Sequence, residues 1–365
     1  NRMGLALLST HSLDEMEQWA RTYFSEIKNN NKERNTYESD YFEKKETFRL
    51  VQIDPVKDIR DLIMTFSLPG TRHLYSSKPG RQFGFVLGHE GSGSLLSYLK
   101  AKGWAISLSA GAGGRSDDHG SASVSIGLTE EGHKNYKEVI KSTLDYVELM
   151  RSAGHPKHVF DELKNMSALN EIYASKGEGM WRATQLANEV MMYPIEDAGR
   201  INYIYTDNDS KPYEDLLSHI TASNMLTMLI AKGVETDQTE HFYQAPYSYS
   251  EDDEVYEYLI AGEQRPELTI PKANPFIPRK ASVPNRELGQ DVLPQETMSA
   301  NGVSLYFGQD HEFLRPKGVI SLKVLFPKDV MSVKHRVYSR IYSACVNESL
   351  NELSYPAKQA GLNYS

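Results

Sequence analysis

The stretch from residue 105 to residue 128 constrains this chain most. Ile106, Leu108 and Ala110 alternate with Ser107, Ser109 and Gly111; after a Gly/Asp loop, Ala122, Val124, Ile126 and Leu128 alternate with Ser123, Ser125 and Gly127. Period-two alternation on both arms predicts a hairpin with one apolar face and one face of very small residues. The apolar face must pack against a helix or a second sheet. The small-residue face lets another backbone approach closely, and the hairpin edge is open to strand addition by a peptide.

Helices and strands are expected on both sides. Ser12 reads as the N-cap of a helix, with Asp14 and Glu15 in its first turn and Leu13, Met16, Trp19, Ala20 and Phe24 at helical spacing. Two strands follow, Phe48–Ile53 and Asp58–Leu68, the second stopped by Pro69-Gly70. Residues 83–102 read as helical in their second half, through Leu95, Leu96 and Leu99, and are punctuated by Gly88, Gly91 and Gly93. Thr129 caps a helical block carrying Tyr136, Val139, Ile140, Leu144 and Val147, and Pro156 opens a helix with Val159, Phe160, Leu163, Met166 and Leu169. Met180–Tyr193 and Tyr213–Ile220 are further helices; Met225–Ile230 is a short buried strand.

Six of the 16 prolines lie between Pro266 and Pro294, too dense for a helix or a central strand, so a stiff extended linker is expected there. Beyond it the pattern restarts. Val303–Phe307 and Val319–Phe326 read as strands, Pro327 stops the second, and Ser332 caps a helix carrying Val337, Ile341, Cys345 and Val346. The spacing from Pro327 to Gly361 equals that from Pro69 to Gly103; in the same register Leu62 meets Ile320, Leu95 meets Leu353 and Trp104 meets Leu362. The expected fold class is α+β: duplicated units, each a mostly antiparallel sheet with helices packed on one face. A strand-like run, Leu5 to Leu8, near one end and an abrupt stop at Leu362-Asn363-Tyr364-Ser365 predict a segment of a longer protein.

Composition narrows the function classes. With 49 acidic against 40 basic residues, the net charge of −9 argues against a nucleic-acid footprint. No apolar run approaches the ~20 residues of a membrane span. One cysteine, Cys345, excludes an internal disulfide framework, and its apolar helical setting points to the core rather than to a nucleophile. Gly88-His89-Glu90-Gly91-Ser92-Gly93 lacks the strand before it and the Lys at its end that a phosphate loop needs. Neither H-E-x-x-H nor H-x-x-E-H occurs. The nearest constellation, His155, His158 and Glu162, is better read as polar residues at a helix start than as a metal site. Tyr243, Tyr247, Tyr249, Tyr256 and Tyr258 are interleaved with acidic residues, unlike a nucleic-acid platform.

Several stretches resemble the insulin-degrading enzyme and pitrilysin family of zinc metallopeptidases, the inverzincins. They are Pro55-Val56-Lys57-Asp58-Ile59-Arg60, Gly88 to Leu96, Leu99-Lys100-Ala101-Lys102-Gly103-Trp104, Leu128-Thr129-Glu130-Glu131-Gly132, Asn274-Pro275-Phe276-Ile277-Pro278 and Ser349-Leu350-Asn351-Glu352 with Ala360-Gly361-Leu362. The resemblance implies four homologous domains in a parent protein, arranged as two halves closing round a peptide chamber. Residues 1–42 would end the first domain, 43–265 form the second, 266–297 the linker between the halves, and 298–365 begin the third. The family holds zinc on an inverted H-x-x-E-H motif and a downstream Glu in its first domain. The resemblance therefore implies zinc in the parent but no catalytic or metal residue, and no cofactor, in this segment.

What it does carry over is an exosite, a sheet edge anchoring the substrate N-terminus. The matching positions are Arg81, Gly84, Phe85, Val86, Gly88 and Glu90, with Leu108, Ala110 and Ala112 on the facing strand. The family often has His, His and Leu where Arg81, Phe85 and Val86 stand, and Gly and Gln at Ala110 and Ala112. Expected partners are peptide substrates and the other domains of the parent, with no nucleic acid and no membrane span; periplasm and cytoplasm both stay open. A rival expectation is a catalytically inactive family member acting as a structural or peptide-binding subunit.

Overall fold

The computed structural model describes residues 3–33, 35–37, 43–114, 116–174, 177–282, 293–309, 314–327 and 330–364. In chain order the first part contains α1 (Leu13–Phe24), β1 (Phe48–Ile53), β2 (Arg60–Pro69), α2 (Pro79–Leu87), α3 (Leu95–Ala101), β3 (Ala105–Gly114) and β4 (His119–Leu128). Helices α4 (Glu130–Lys134), α5 (Tyr136–Ala153), α6 (Lys157–Ile172), α7 (Gly179–Met192) and α8 (Lys211–Ser218) follow. Then come β5 (Met225–Ala231), β6 (Gln238–Thr239), β7 (Pro246–Asp252) and α9 (Asp253–Ile260). Last are β8 (Gln295–Ala300), β9 (Val303–Phe307), α10 (Val333–Ser349) and α11 (Asn351–Gln359).

Seven strands form one sheet in the order β3-β4-β2-β5-β1-β7-β6, antiparallel throughout except where β1 runs parallel to β5. Alternation decides its faces. Leu62, Met64, Phe66 and Leu68 on β2, with Ala122, Val124 and Ile126 on β4, point to one side and are buried. There they meet Phe83, Val86 and Leu87 of α2, Leu95, Leu96 and Leu99 of α3, Val139, Ile140, Tyr146 and Val147 of α5, and Val255 and Leu259 of α9 in one continuous core. The chain is therefore α+β, with helices on one face of a mostly antiparallel sheet.

Local signals account for most element ends. Ser12 and Glu15 make a reciprocal capping box on α1, Thr129 caps α4 through the Gly132 amide, and Ser332 caps α10. Helix α9 and strand β7 escape the sequence reading, although Asp252, whose carboxylate accepts from the Val255 amide ahead of two further acidic residues, is a clear helix start.

Five expectations need correction. Residues 5–8 form no strand; this stretch runs along α7, where a Cβ on Gly4 would lie 2.1 Å from the Ala187 carbonyl oxygen. The β3 alternation breaks at a bulge between Ala105 and Ser107, which turns Ile106 outward at 64% exposure and buries Ala105 instead. Residues 79–87 form a helix the glycines had obscured. Residues 319–326 form no strand among the described residues: Val319, Ile320 and Leu322 are almost wholly exposed, and an extended run becomes a strand only with a neighbour to pair with. Cys345 is likewise exposed rather than core.

The two helical stretches matched by spacing end alike. The Gly103 amide donates to the Lys100 carbonyl and the Trp104 amide to Leu99; Gly361 donates to Lys358 and Leu362 to Ala357. Both glycines are left-handed, at φ +73° and +86°. This is the glycine-closed helix end that satisfies the last carbonyls of a helix, and only a residue without Cβ adopts it freely.

Candidate functional site

The nine exosite positions gather where α2 meets β3. Arg81, Gly84, Phe85 and Val86 lie on α2, Gly88 ends that helix, Glu90 follows in the connection to α3, and Leu108, Ala110 and Ala112 lie on β3. β3 is the terminal strand of the sheet.

Helical geometry assigns three jobs to α2. Phe83, Val86 and Leu87 enter the core. Gly80, Gly84 and Gly88, four residues apart, face the β3 edge: a Cβ on Gly80 would lie 2.1 Å from the Ala112 carbonyl oxygen and one on Gly84 2.8 Å from that of Ala110. Arg81 is left exposed and Phe85 half-buried. Gly80 went unnoticed in the sequence, though its place four residues before Gly84 was the available signal. Gly84 is used inside the fold, so a bulky residue there would push α2 from β3 before it touched any ligand.

The helix is also pinned from behind. Lys78 takes a left-handed conformation just before Pro79, and its Nζ donates to the carbonyls of Tyr75 at 2.7 Å and Ile201 at 2.6 Å. Burial, helped by the charge of Arg81, pushes the Lys78 ammonium down to about 8. Gln82, buried on α2, donates to the Ser77 carbonyl and meets His155 Nε2 at 2.8 Å.

The connection from Gly88 to Ser94 is held residue by residue. His89 Nδ1 accepts from the Gly91 amide at 3.0 Å, and its ring lies between Phe85 and Tyr355. Burial lowers His89 to about 4, so it is neutral at neutral pH. The Thr269 amide donates to the Gly93 carbonyl at 2.8 Å, and Ser94 caps α3. Glu90 is half-buried and accepts from Asn351 Nδ2 at 2.8 Å; no cation pairs with it among the described residues. A half-buried carboxylate without a counter-ion has the charge to accept an ammonium group.

The residues weighed for a metal do not fit one. His155 is turned to Gln82, His158 Nε2 meets the Pro271 carbonyl oxygen at 2.9 Å, and Glu162 Oε1 accepts from the Asn274 amide at 2.7 Å. Among the described residues no three His, Cys, Asp or Glu side chains are grouped to hold an ion.

Comparison with known proteins identifies the family of both parts of the chain. Residues 172–365 match the family described as the middle or third domain of peptidase M16, and residues 1–167 match the peptidase M16 inactive domain. The chain belongs to the peptidase M16 family. The seven-stranded M16 sheet draws strands from both matched segments, β1 to β4 from the first and β5 to β7 from the second. Among relatives, the chain is 29% identical over 367 residues to the insulin-degrading enzymes of Bos taurus and Homo sapiens, and 30% identical over 380 residues to a nardilysin-like protein of Arabidopsis thaliana. Each match covers all of this chain and 36% of the relative, so the chain spans little more than a third of their length. The crystal structure of pitrilysin superposes with a TM-score of 0.77 at 20% identity, covering 96% of this chain and 38% of that one, and shows the same fold. Of the two matched M16 segments, the one over residues 1–167 is the type described as inactive. No helix among the described residues is long and apolar enough to cross a membrane.

Proposed function

We propose that this chain is the non-catalytic middle segment of a zinc metalloendopeptidase that encloses its peptides in a chamber. In this reading residues 1–42 end a first domain, 43–265 form the second, 266–297 link the two halves and 298–365 begin a third. The zinc and the residues that activate its water belong to the parent chain outside this segment, which by itself cleaves nothing. Its work is to build the chamber wall and to hold the free N-terminus of a peptide at the α2–β3 junction.

The observation that carries the anchoring role is Glu90, a half-buried carboxylate facing no cation among the described residues. A peptide ammonium supplies the missing charge beside terminal strand β3, whose edge at Ala110 and Ala112 is already closely approached by the α2 glycines. Arg81 and Phe85, the outward positions of α2, border the same place and bias which side chains follow the N-terminus. The test uses full-length protein with its metal chelated to stop cleavage, and two labelled peptides differing only by N-terminal acetylation. The free-amine peptide should bind roughly tenfold tighter, and Glu90→Gln should abolish that preference. Equal binding of both peptides by the unaltered protein would overturn the reading.

A further inference from the structure

The exosite as the family resemblance delimits it ends at Ala112, yet a residue that touches Glu90, Asn351, lies 261 positions beyond Glu90. Helix α11 lies over the connection from Gly88 and the start of α3 and contacts them at four points. Asn351 Nδ2 donates to Glu90 Oε2 at 2.8 Å, and the Tyr355 hydroxyl donates to the Gly88 carbonyl at 3.2 Å. The Tyr355 ring meets the His89 ring edge-on at 4.8 Å, and Ser97 Oγ donates to Glu352 at 2.6 Å. Glu348, just before α11, pairs with Lys100.

The Asn351 amide is not free to turn. Its Oδ1 accepts from Lys358 Nζ at 3.2 Å, which leaves Nδ2 directed at Glu90. A lysine fixes the oxygen end, so the nitrogen end can only donate. Lys358 thus acts on Glu90 through a neutral amide: the carboxylate is oriented, but its charge is not cancelled by a direct ion pair. A lysine placed directly on Glu90 would compete with any incoming ammonium; an asparagine holds one carboxylate oxygen and leaves the other to a ligand.

We infer that Asn351, from the segment beyond the linker, is the positioning residue for Glu90, so that the docked helix α11 sets how well the second-domain site holds a peptide N-terminus. This rests on the anchoring role of Glu90 proposed above, and the two can fail separately. The experiment measures the free-amine over acetylated binding ratio in chelated full-length protein for four forms: unaltered, Glu90→Gln, Asn351→Leu and the double variant. Leu is similar in size to Asn but cannot donate. Asn351→Leu should cut the ratio threefold or more while the acetylated peptide binds as before, and should add nothing in the Glu90→Gln background. An unchanged ratio in Asn351→Leu, or an equal loss in both backgrounds, overturns the positioning role; the second result would mark a general structural effect. A ratio that Glu90→Gln leaves intact would instead remove the anchoring reading. Restoring the donor with Asn351→Gln should recover part of the ratio, and failure of any recovery alongside lost acetylated-peptide binding counts against Asn351 acting through Glu90.

Discussion

Two stretches of this chain share a pattern and differ in burial. Leu62 and Leu95 are fully buried, while their spacing partners Ile320 and Leu353 are 98% and 76% exposed. The helix ends are closed by the same glycine geometry in both, because that geometry is local. What separates them is partners: β2 has β4 on one side and β5 on the other with helices over it, whereas residues 319–326 pair with nothing among the described residues. Local sequence decides turns and caps; burial is decided by what lies alongside.

The sharpest way to break this comparison is at the ion pairs. Arg265 and Asp145 are 7% and 4% exposed at 2.8 Å, with Arg265 also bonded to Tyr98 and Glu263. Removing the guanidinium strands a buried carboxylate, so Arg265→Ala should cost about 3–5 kcal/mol in denaturant unfolding of this chain. Lys100 and Glu348, which join the two stretches, are 25% and 66% exposed, and Lys100→Ala should cost below about 1 kcal/mol. Next comes the matched pair itself. Leu62→Ala should cost about 2–5 kcal/mol and Ile320→Ala less than about 0.5, read by the same unfolding curves. Comparable losses at both positions would erase the distinction drawn here.

Much of the sheet unit was legible because its strands alternate and its helices carry apolar residues at helical spacing, with Thr129 as a cap on α4. The bulge at Ile106 was not, since an extra residue in one strand leaves no mark in hydrophobic spacing. Helix α2 was hidden because Gly80, Gly84 and Gly88 look like breakers; their reason is tertiary, the carbonyl edge of β3. The site was half visible. Glu90 and the β3 residues entered through resemblance, but Asn351 could be joined to Glu90 only once the chain had folded back on itself. Apolar residues on α10 and at 319–326 were expected in a core because periodicity registers a face without saying what covers it.

Smaller effects test the packing at the site. Gly84→Ala should cost about 1–3 kcal/mol because its methyl group meets the Ala110 carbonyl, whereas Gly111→Ala, with open space around it, should change stability by less than about 0.5. Melting temperatures of the two variants decide this. A pH-dependent effect concerns His89. Its folded value near 4 lies below the ordinary 6.5, so the folded state resists protonation that the unfolded state accepts. Its contribution is full above about 6.5 and is lost progressively as pH falls toward 4. Melting curves at pH 7 and pH 5 should therefore converge partly in His89→Phe, which has no proton to take up.

The central claim is that a peptide N-terminus sits at Glu90 beneath α11. A structure of the full-length protein, metal removed, with a bound peptide tests it directly. The account predicts the terminal ammonium within hydrogen-bond distance of the Glu90 carboxylate, the Asn351 contact intact, and the first peptide residues beside α2 and β3. A peptide N-terminus bound elsewhere, with Glu90 left to solvent, would contradict it.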